Sequence, residues 1–572
     1  MMHRETAGIS RRQFMTTGAA VVAGIGVGVR SAHACTTVVP STPSTRRTRP
    51  LVWLPEPPPA EQLRALALVA MEAAKGAGAD RADIRVGVRR RLTVYRFPDA
   101  IVMNQMVGYG VRAWRNGTWS FQHGNVLSAD AVAATARSAA AGAQLYAGID
   151  AQLAQHRRGV SSRVMLESWA PAPVVTGAWR VPVEIDPFSI TIDDLQRVLG
   201  TLRRMILPEE TQKDLQLHAG GGTASWEGET RVFASTEGSL VTQDTMVGGS
   251  RFGAIATTPD NYAVGLGQSE SVSLSAGVES LLRPGIGDEL QQLAETLARW
   301  QELPFRPFGE VGRYPVVLDG RCMAQVVGAT IDQALDGDRV SGIEADAAGR
   351  SFWAPPLDVL QAAAPQLSPL LSARVDRALP SSVAVQWDDD GVAPEPYTVL
   401  DHGRVVDFHT TRQTAPMLAE WYARQGRPVR SHGGAVAPTA DSVPSGSGGH
   451  LKVAPSPASV SVDDLMREIS HGFLVINGSV WASPGLTTGG IGFDANDGLM
   501  VEIRRGVPVS RTTLRLQFVT QSILGKKNLL ALGGASTMGT SEVFASKGIP
   551  WQALPQQVTA PAALCNDVDV IA

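Results

Sequence analysis

Residues 334–349 read ALDGDRVSGIEADAAG and directly follow the segment GATIDQ at 328–333. Asp332 and Asp336 are four residues apart, and Asp338 lies close to them in sequence. Carboxylates grouped in this way suit Mg²⁺ or Ca²⁺. The alternative is that these acids make helix-capping or surface hydrogen bonds, and this alternative is the one that we expect.

The composition is that of a multidomain globular protein. The 572 residues are enough for three or four domains. Hydrophobic residues make up 44% and charged residues 18%, and 58 Gly and 36 Pro indicate many turns. The formal charge is −3, without the basic stripe that binding to a phosphate backbone requires. We therefore expect no nucleic-acid partner.

Residues 1–34 have the three parts of a twin-arginine signal peptide. The segment SRRQFM at 10–15 precedes an apolar stretch at 16–29 and the small-x-small cleavage pattern AHA at 32–34. The apolar stretch is shorter than the roughly 20 residues that span a bilayer, and no later segment can cross one. Cys35 follows the cleavage site, but AHA is a poor lipobox. We predict a soluble protein exported to the periplasm or the medium.

We predict an α/β (α+β) fold in several units after the signal peptide. Residues 35–60 read as a Pro- and Thr-rich linker. The remaining chain is divided into an N-terminal unit at 61–150, a middle unit at 151–305 and a large, strand-rich C-terminal unit at 306–572.

The N-terminal unit shows clear local signals. An Ala/Leu-rich pattern predicts a helix over 61–75, and period-two alternation predicts a strand over 82–88. Asn116-Gly117 between apolar runs indicates a type I′ hairpin. Ser128 is placed to cap a helix that runs to about residue 143.

Further elements are predicted in the middle and C-terminal units. Helices are expected over 193–205, 288–301 and 322–335, and a long loop over 433–459. Strands are expected over 313–318, 382–386, 397–400, 472–476, 499–503 and 513–518.

The three cysteines are Cys35, Cys322 and Cys565, and no CxxC pair exists. A disulfide between Cys322 and Cys565 and a pair of separate buried thiols both remain open, because sequence does not place the Cα atoms.

Several stretches, in order along the chain, resemble the TldD/PmbA family, historically called modulators of DNA gyrase. The most specific is 334–349, which is similar to the family's "aLEGDrv.gyEAdaaG" almost position by position. The others are GAGADRADIR at 76–85, GYGVR at 108–112 with GTWSF at 117–121, FASTEG at 233–238, DDDG at 388–391, and DHG at 401–403 with Thr414-Ala415. The resemblance runs from about residue 62 to the C-terminus.

The resemblance also implies a metal site that this sequence lacks. Active members have HEaxGH before "aLEGD", with two His five residues apart as zinc ligands and a Glu as general base. On a regular helix this spacing separates the two His, so a locally distorted turn is needed to aim both at one ion. A Cys in a segment like "CGKgxpGQ" completes the family site.

In this chain the two His positions hold Gly328 and Gln333, the Glu position holds Ala329, and the Cys position holds Ala545. We predict no intact catalytic residue, no metal ligand and no cofactor, because Gly and Ala have no donor atom and a Gln amide is a poor zinc ligand.

The family pairs a zinc-bearing subunit with a zinc-less relative around a chamber for unfolded peptides. The resemblance therefore implies that this chain is the silent partner of a TldD-like peptidase. Two alternatives stay open: a metallopeptidase with substituted ligands, and a homodimeric periplasmic peptide-binding protein.

Overall fold

The computed structural model describes residues 35–40, 54–96, 99–154, 169–206, 217–257, 263–282, 310–345, 347–351, 367–477, 479–482, 490–494, 499–512, 515–519, 523–548 and 550–571, with 295, 299–300, 303–306, 308 and 353. The predicted signal peptide and most of the predicted helix at 288–301 lie outside the described residues.

Helices and strands alternate in the first half of the described chain, and strands dominate the second half. The helices are α1 (Ala60–Gly76), α2 (Ala129–Ala154), α3 (Ile192–Ile206), α4 (Gly320–Val327), α5 (Gly337–Ser341), α6 (Ala419–Arg424) and α7 (Val462–Arg467), with a π-helical turn at Gly328–Asp332.

The strands of the first half are β1 (Cys35–Pro40), β2 (Arg81–Arg96), β3 (Asp99–Arg115), β4 (Thr118–Gly124), β5 (Thr176–Arg180), β6 (Leu217–Ser235), β7 (Leu240–Thr257) and β8 (Ala263–Leu274). Those of the second half are β9 (Gly312–Leu318), β10 (Ala373–Val375), β11 (Tyr397–Asp401), β12 (Arg404–Val405), β13 (Ala435–Val436), β14 (Ser445–Gly446), β15 (His450–Val453), β16 (His471–Ile476), β17 (Ser479–Ala482), β18 (Gly490–Asp494), β19 (Leu499–Arg504), β20 (Val507–Thr512), β21 (Arg515–Val519), β22 (Leu529–Leu532), β23 (Gly539–Lys547), β24 (Gln552–Ala560) and β25 (Ala563–Ile571).

β1 to β8 form one sheet in the order β1-β3-β2-β6-β7-β5, with β4 beside β3 and β8 beside β7. One face of this sheet has two apolar cores. Ile84 and Val86 of β2 pack with α1 and α2, and farther along the same strand Leu92 and Val94 pack with α3. Strands from both sides of residue 150 thus share the sheet, and the predicted division between N-terminal and middle units stays a prediction.

The C-terminal half contains two larger sheets around the largest apolar core. One has the order β17-β18-β21-β25-β9-β16-β19-β20, with β22 beside β25, and the other has the order β12-β11-β10-β15-β24-β23. The core residues of α4, among them Met323 and Val326, lie in the cluster that includes residues of both sheets. The mixed α/β class and the strand-rich C-terminal half are confirmed.

The strongest local predictions are confirmed. Helix α1 covers the predicted 61–75, and Asn116 and Gly117 both have the positive φ that a type I′ turn requires, +49° and +79°. Ser128 Oγ accepts a hydrogen bond from the Ala131 backbone N–H at 3.3 Å, as expected of the cap of α2. Both helices extend beyond the predicted ends.

Three local predictions were wrong. Residues 382–386 form turns and bends instead of a strand, since Ser381–Ala384 closes a backbone turn at 3.1 Å. The predicted loop at 433–459 contains β15, which lies between β10 and β24 inside a sheet. Residues Cys35–Pro40 of the expected linker pair with β3. In the last two cases the strand pairs with strands that are distant in sequence, so the local pattern does not predict it.

Cys322 and Cys565 are buried and free, so no disulfide joins them. Burial raises the pKa of the Cys565 thiol to about 12, which keeps it protonated and unreactive at neutral pH. Among the described residues, no helix is both long and apolar enough to cross a membrane.

Candidate functional site

The segment 328–333 lies at the end of helix α4. Asp319 begins this helix, because its Oδ1 accepts a hydrogen bond from the Cys322 N–H at 2.7 Å. After Val327 the helix widens into the π turn Gly328–Asp332. Hydrogen bonds of the i→i+5 kind bring side chains five residues apart toward the same side. The distorted turn that a HExxxH zinc motif needs is therefore present, although its His residues are not.

Position 328 is closed by a neighbouring side chain. A Cβ atom built on Gly328 would lie 2.6 Å from Cγ2 of Val543 and 3.1 Å from its Cβ. No larger side chain fits there unless β23 or its valine moves. The neighbouring Ala329 is buried and has no group that can act as a base.

Position 333 is occupied by an amide that is already engaged. Gln333 Oε1 accepts a hydrogen bond from Arg339 Nη2 at 3.1 Å, and Arg339 Nη1 donates to the carbonyl oxygen of Ala348 at 2.6 Å. The side chain of Gln333 thus braces the segment after the π turn.

Position 545 is apolar in its surroundings as well as in its side chain. Ala545 is fully buried on β23, and it forms a small cluster with Val436 and Leu554. Zn²⁺ does not fit the four positions together, because three side chains lack donors and the fourth has its oxygen in use. Within the described part of the chain, no group of three His, Cys, Asp or Glu residues is arranged to hold a metal ion.

A buried histidine, which sequence reasoning missed, lies beside the π turn. His409 Nε2 lies 2.8 Å from Oδ1 of Asp332, and His409 Nδ1 lies 2.7 Å from the hydroxyl oxygen of Tyr397. His409 and Asp332 have no exposed surface. Asp332 stands where the family motif has Gly, and Gly448 leaves the room, since a Cβ there would lie 2.6 Å from Asp332 Oδ1.

The charge on this pair is set by opposing effects. Burial lowers the pKa of His409, but the hydrogen bond and the negative charge of Asp332 raise it more, so the net pKa is above the ordinary value. No local pattern in the sequence indicated that His409 pairs with Asp332, because the two residues are 77 positions apart.

A second buried cluster surrounds Lys547. Its Nζ donates to Asp338 Oδ1 at 2.8 Å and to the Gly446 carbonyl, and it lies 2.7 Å from Asp336 Oδ2. Burial raises the pKa of Asp336 to about 6 in spite of the nearby ammonium group. The expectation that Asp332, Asp336 and Asp338 make surface hydrogen bonds was wrong, because all three are buried. Asp336 stands at the N-cap of α5, but its side chain makes no capping hydrogen bond. The ammonium group of Lys547 supplies the positive charge beside Asp336 and Asp338.

The segment DDDG at 388–391 forms a third ionic centre, between the first sheet and the C-terminal half. Asp390 Oδ1 accepts a hydrogen bond from Arg112 Nη2 at 2.6 Å, and Asp389 Oδ1 accepts one from Arg231 Nη1 at 2.6 Å. Asp83 completes the cluster through Arg112 at 2.8 Å. We call these five residues the ionic junction; all of them are buried or half-buried.

Glycines let the C-terminal half approach this face of the sheet. A Cβ on Gly110 would lie 2.9 Å from the carbonyl oxygen of Ala440, and one on Gly87 would lie 3.2 Å from the Ala440 Cβ. Gly108, Gly110 and Arg112 of one motif and the acids of 388–391 therefore contact each other's half of the molecule, whereas Tyr109 and Val111 pack in the core under the helices.

Comparison with known proteins agrees with this architecture. Residues 311–571 match the model of the PmbA/TldA metallopeptidase C-terminal domain. TldE from Thermococcus kodakarensis is similar in structure, with a TM-score of 0.60 at 12% identity over 89% of this chain and 100% of that chain. No curated protein matches the sequence.

Two further solved structures are each described as a proposed modulator of DNA gyrase. The one from Bacteroides thetaiotaomicron has a TM-score of 0.60 at 15% identity, over 89% of this chain and 98% of that chain. The one from Thermotoga maritima has a TM-score of 0.58 at 13% identity, over 89% and 99%. At such identities the likeness concerns the fold alone.

Proposed function

The chain belongs to the TldD/PmbA family, and from this premise we propose that it is an exported, zinc-less subunit that pairs with a zinc-bearing TldD-like peptidase and helps to bind peptide. One observation carries the proposal. The π turn of the metal site is kept, whereas Val543, Arg339 and an apolar cluster fill or engage the three ligand positions. A metallopeptidase with substituted ligands would need donors directed into that space.

The rest of the scaffold supports a binding role. The ionic junction, built from the family motif at 388–391 and the sheet arginines, has its carboxylates and guanidinium groups paired. These pairs hold the first sheet against the C-terminal half, because breaking a buried pair costs about 3–5 kcal/mol. A scaffold kept together in this way can offer the backbone groups of a sheet edge to a partner or to an extended peptide.

Export is the second part of the proposal, and it rests on the sequence of residues 1–34. The twin-arginine pathway carries folded proteins, so a complex assembled in the cytoplasm can cross together with its zinc subunit. Substituting Arg11 and Arg12 by Lys tests this step. We expect both this chain and a co-expressed zinc subunit without its own signal to stay in the cytoplasm. If the zinc subunit still reaches the periplasm, it does not travel with this chain.

The pairing is tested by purification of the mature chain, residues 35–572, alone and together with a TldD-like subunit that has an intact HExxxH motif. Alone, the chain should have neither stoichiometric zinc nor chelator-sensitive peptidase activity. In co-expression, the two subunits should elute as one complex in which zinc follows the partner. A matched control is the partner with both motif His replaced by Ala, which should still pair but lose zinc. Stoichiometric zinc in the chain alone, with chelator-sensitive activity, would refute the proposal.

A further inference from the structure

The edge of the first sheet is occupied by the residues that follow the predicted signal cleavage site. Strand β1 (Cys35–Pro40) pairs antiparallel with β3, in a register that places Cys35 opposite Gln105 and Pro40 opposite Ala100. Thirteen residues, 41–53, then separate β1 from the first described residue of the α1 region. A fully extended chain of that length spans at most about 45 Å, which is the upper limit on the distance between the two ends of this segment.

Without β1 this part of β3 would be an open edge. β2 pairs with β3 along its other side, from Asp99 to Trp114. β4 pairs with β3 only from Tyr109 to Arg115. Among the described strands, β1 is therefore the one that satisfies the outward backbone groups at Ala100–Gln105. An open edge of this length is a template for strand addition.

The chemistry of the edge fits an extended segment. Thr36, Thr37, Val38 and Val39 are all β-branched, a composition that favours an extended backbone. On the β3 side, Asn104 Oδ1 and Gln105 Oε1 are buried and have no hydrogen-bond partner. Asn104 and Gln105 are adjacent in β3 and point to opposite faces of the sheet, so a bound strand with a polar side chain on each face can satisfy both acceptors.

We propose that the β3 edge at Ala100–Gln105 is a binding site for an extended, β-branched peptide, and that β1 occupies it in cis as a displaceable strap. Recognition is by backbone hydrogen bonds, which tolerate many sequences. The inference rests on the proposed function in one respect only, which is where the bound peptide comes from. The occupied edge is then an autoinhibited state, and displacement of β1 opens it.

Cleavage after Ala34 would place a free chain end at the first residue of β1. A strap with a free end exchanges by peeling from Cys35 toward Pro40, without threading a loop. Because β1 stays covalently joined to the rest of the chain, its effective concentration at the edge is on the order of millimolar, so a free peptide of similar strength competes poorly with it.

The first experiment removes the strap's backbone donors. Two adjacent residues point their N–H groups to opposite sides, so the double variant Thr37→Pro/Val38→Pro loses the inward donor whichever residue carries it. The control Thr37→Ala/Val38→Ala keeps both N–H groups. Hydrogen exchange of the mature chain should be at least about tenfold faster at the outward amides of residues 100–105 in the proline variant only. Equal exchange in wild type and the proline variant would overturn the cis strap.

The second experiment supplies the strap in trans. The probe is a fluorescent peptide STTVVP, the sequence of residues 35–40 with serine for Cys35, and binding is followed by anisotropy. We expect binding to the proline variant at least about tenfold tighter than to the wild type. Two further probes are N-methylated on alternate residues, one on odd and one on even positions. One of them should not bind, because its edge-facing donors are blocked.

The remaining outcomes also decide. If the proline variant exposes the edge but binds no probe, or binds both methylated probes equally, the edge is not a peptide site. If the wild type is a dimer that the proline variant abolishes, β1 is exchanged between copies and the cis strap is wrong. Failure to find a zinc-bearing partner would remove the proposed function but would leave all of these readouts unchanged, so the two failures are distinguishable.

Discussion

The ionic junction and the counterpart of the family's zinc motif, residues 328–333 with Ala545, which we call the former metal centre, differ in how their side chains are satisfied. At the junction, Asp390, Arg112 and Asp83 form close, buried pairs. At the centre, Gly328 and Ala545 contribute no polar atom, and apolar neighbours surround both. The difference teaches that contact between the two halves relies on paired charges, whereas apolar packing closes the positions of the zinc motif.

The largest effect is expected from breaking the junction. Asp390→Ala leaves the Arg112 guanidinium buried without one of its two carboxylates, and it removes the acceptor of the Arg412 backbone N–H at 3.3 Å. We expect a loss of about 3–5 kcal/mol in the free energy of unfolding, measured with urea.

The control for the junction is Asp569→Ala, which removes an exposed partner of Arg313. This change should stay within about 1 kcal/mol, because surface pairs contribute little. Similar losses in the two variants would mean that the junction is no more important than the surface.

A smaller effect is expected from Asp332→Asn in the former metal centre. The substitution removes the negative charge of the group that is hydrogen-bonded to His409. We expect the free energy of unfolding to fall by about 2 kcal/mol at pH 6. The pKa of His409 is raised in the folded protein, so the stabilisation is fully present below pH 6.5 and is lost as pH rises through the folded pKa. Urea unfolding of both proteins at pH 6 and pH 9 should therefore show a difference that narrows at pH 9.

An exposed pair of the same kind serves as the control for Asp332. His402 Nδ1 lies 2.8 Å from Asp401 Oδ1 at the surface. Asp401→Asn should change stability by less than about 1 kcal/mol at both pH values. A difference for Asp332→Asn that stays constant with pH would show that His409 does not titrate between pH 6 and pH 9.

A still smaller effect is expected from Gly328→Ala. The new Cβ meets Val543, so we expect a loss of about 1–2 kcal/mol, which Val543→Ala in the same chain should partly relieve. The matched control is Gly148→Ala in helix α2, where nothing lies within 4 Å of the added atom. There the helix propensity of alanine should stabilise by about 0.5–1 kcal/mol. The change in stability is measured by thermal or urea unfolding. If alanine stabilises the protein at both sites, position 328 has room for a Cβ atom.

The smallest effect is expected from Ala545→Cys, which returns one family donor to the centre. The thiol adds one atom to the cluster of Val436 and Leu554, so stability should change by at most about 1 kcal/mol. Metal analysis should find no stoichiometric zinc, because the other ligand positions remain without donors. Zinc binding by this single variant would contradict the closed centre.

Local patterns predicted those elements that their own side chains specify. Helix α1 has its apolar residues at helical spacing, and Asn116-Gly117 tolerates the positive φ of its turn, so neither element needed a distant partner. β15 was missed because its ladder comes from β10 and β24. Residues 382–386 were wrongly predicted as a strand because the Ala384 backbone N–H donates to the Ser381 carbonyl oxygen within a turn. A short window of sequence does not show which distant segment a strand will pair with.

The sequence by itself determined the family resemblance and predicted the loss of the zinc donors, because donor atoms are a property of each side chain alone. The tertiary structure decided what replaced them. Val543 closes position 328 from another strand, and His409 reaches Asp332 across 77 residues. Contacts of this kind depend on which distant segments the fold brings together. Only the folded molecule therefore shows which buried charged groups pair.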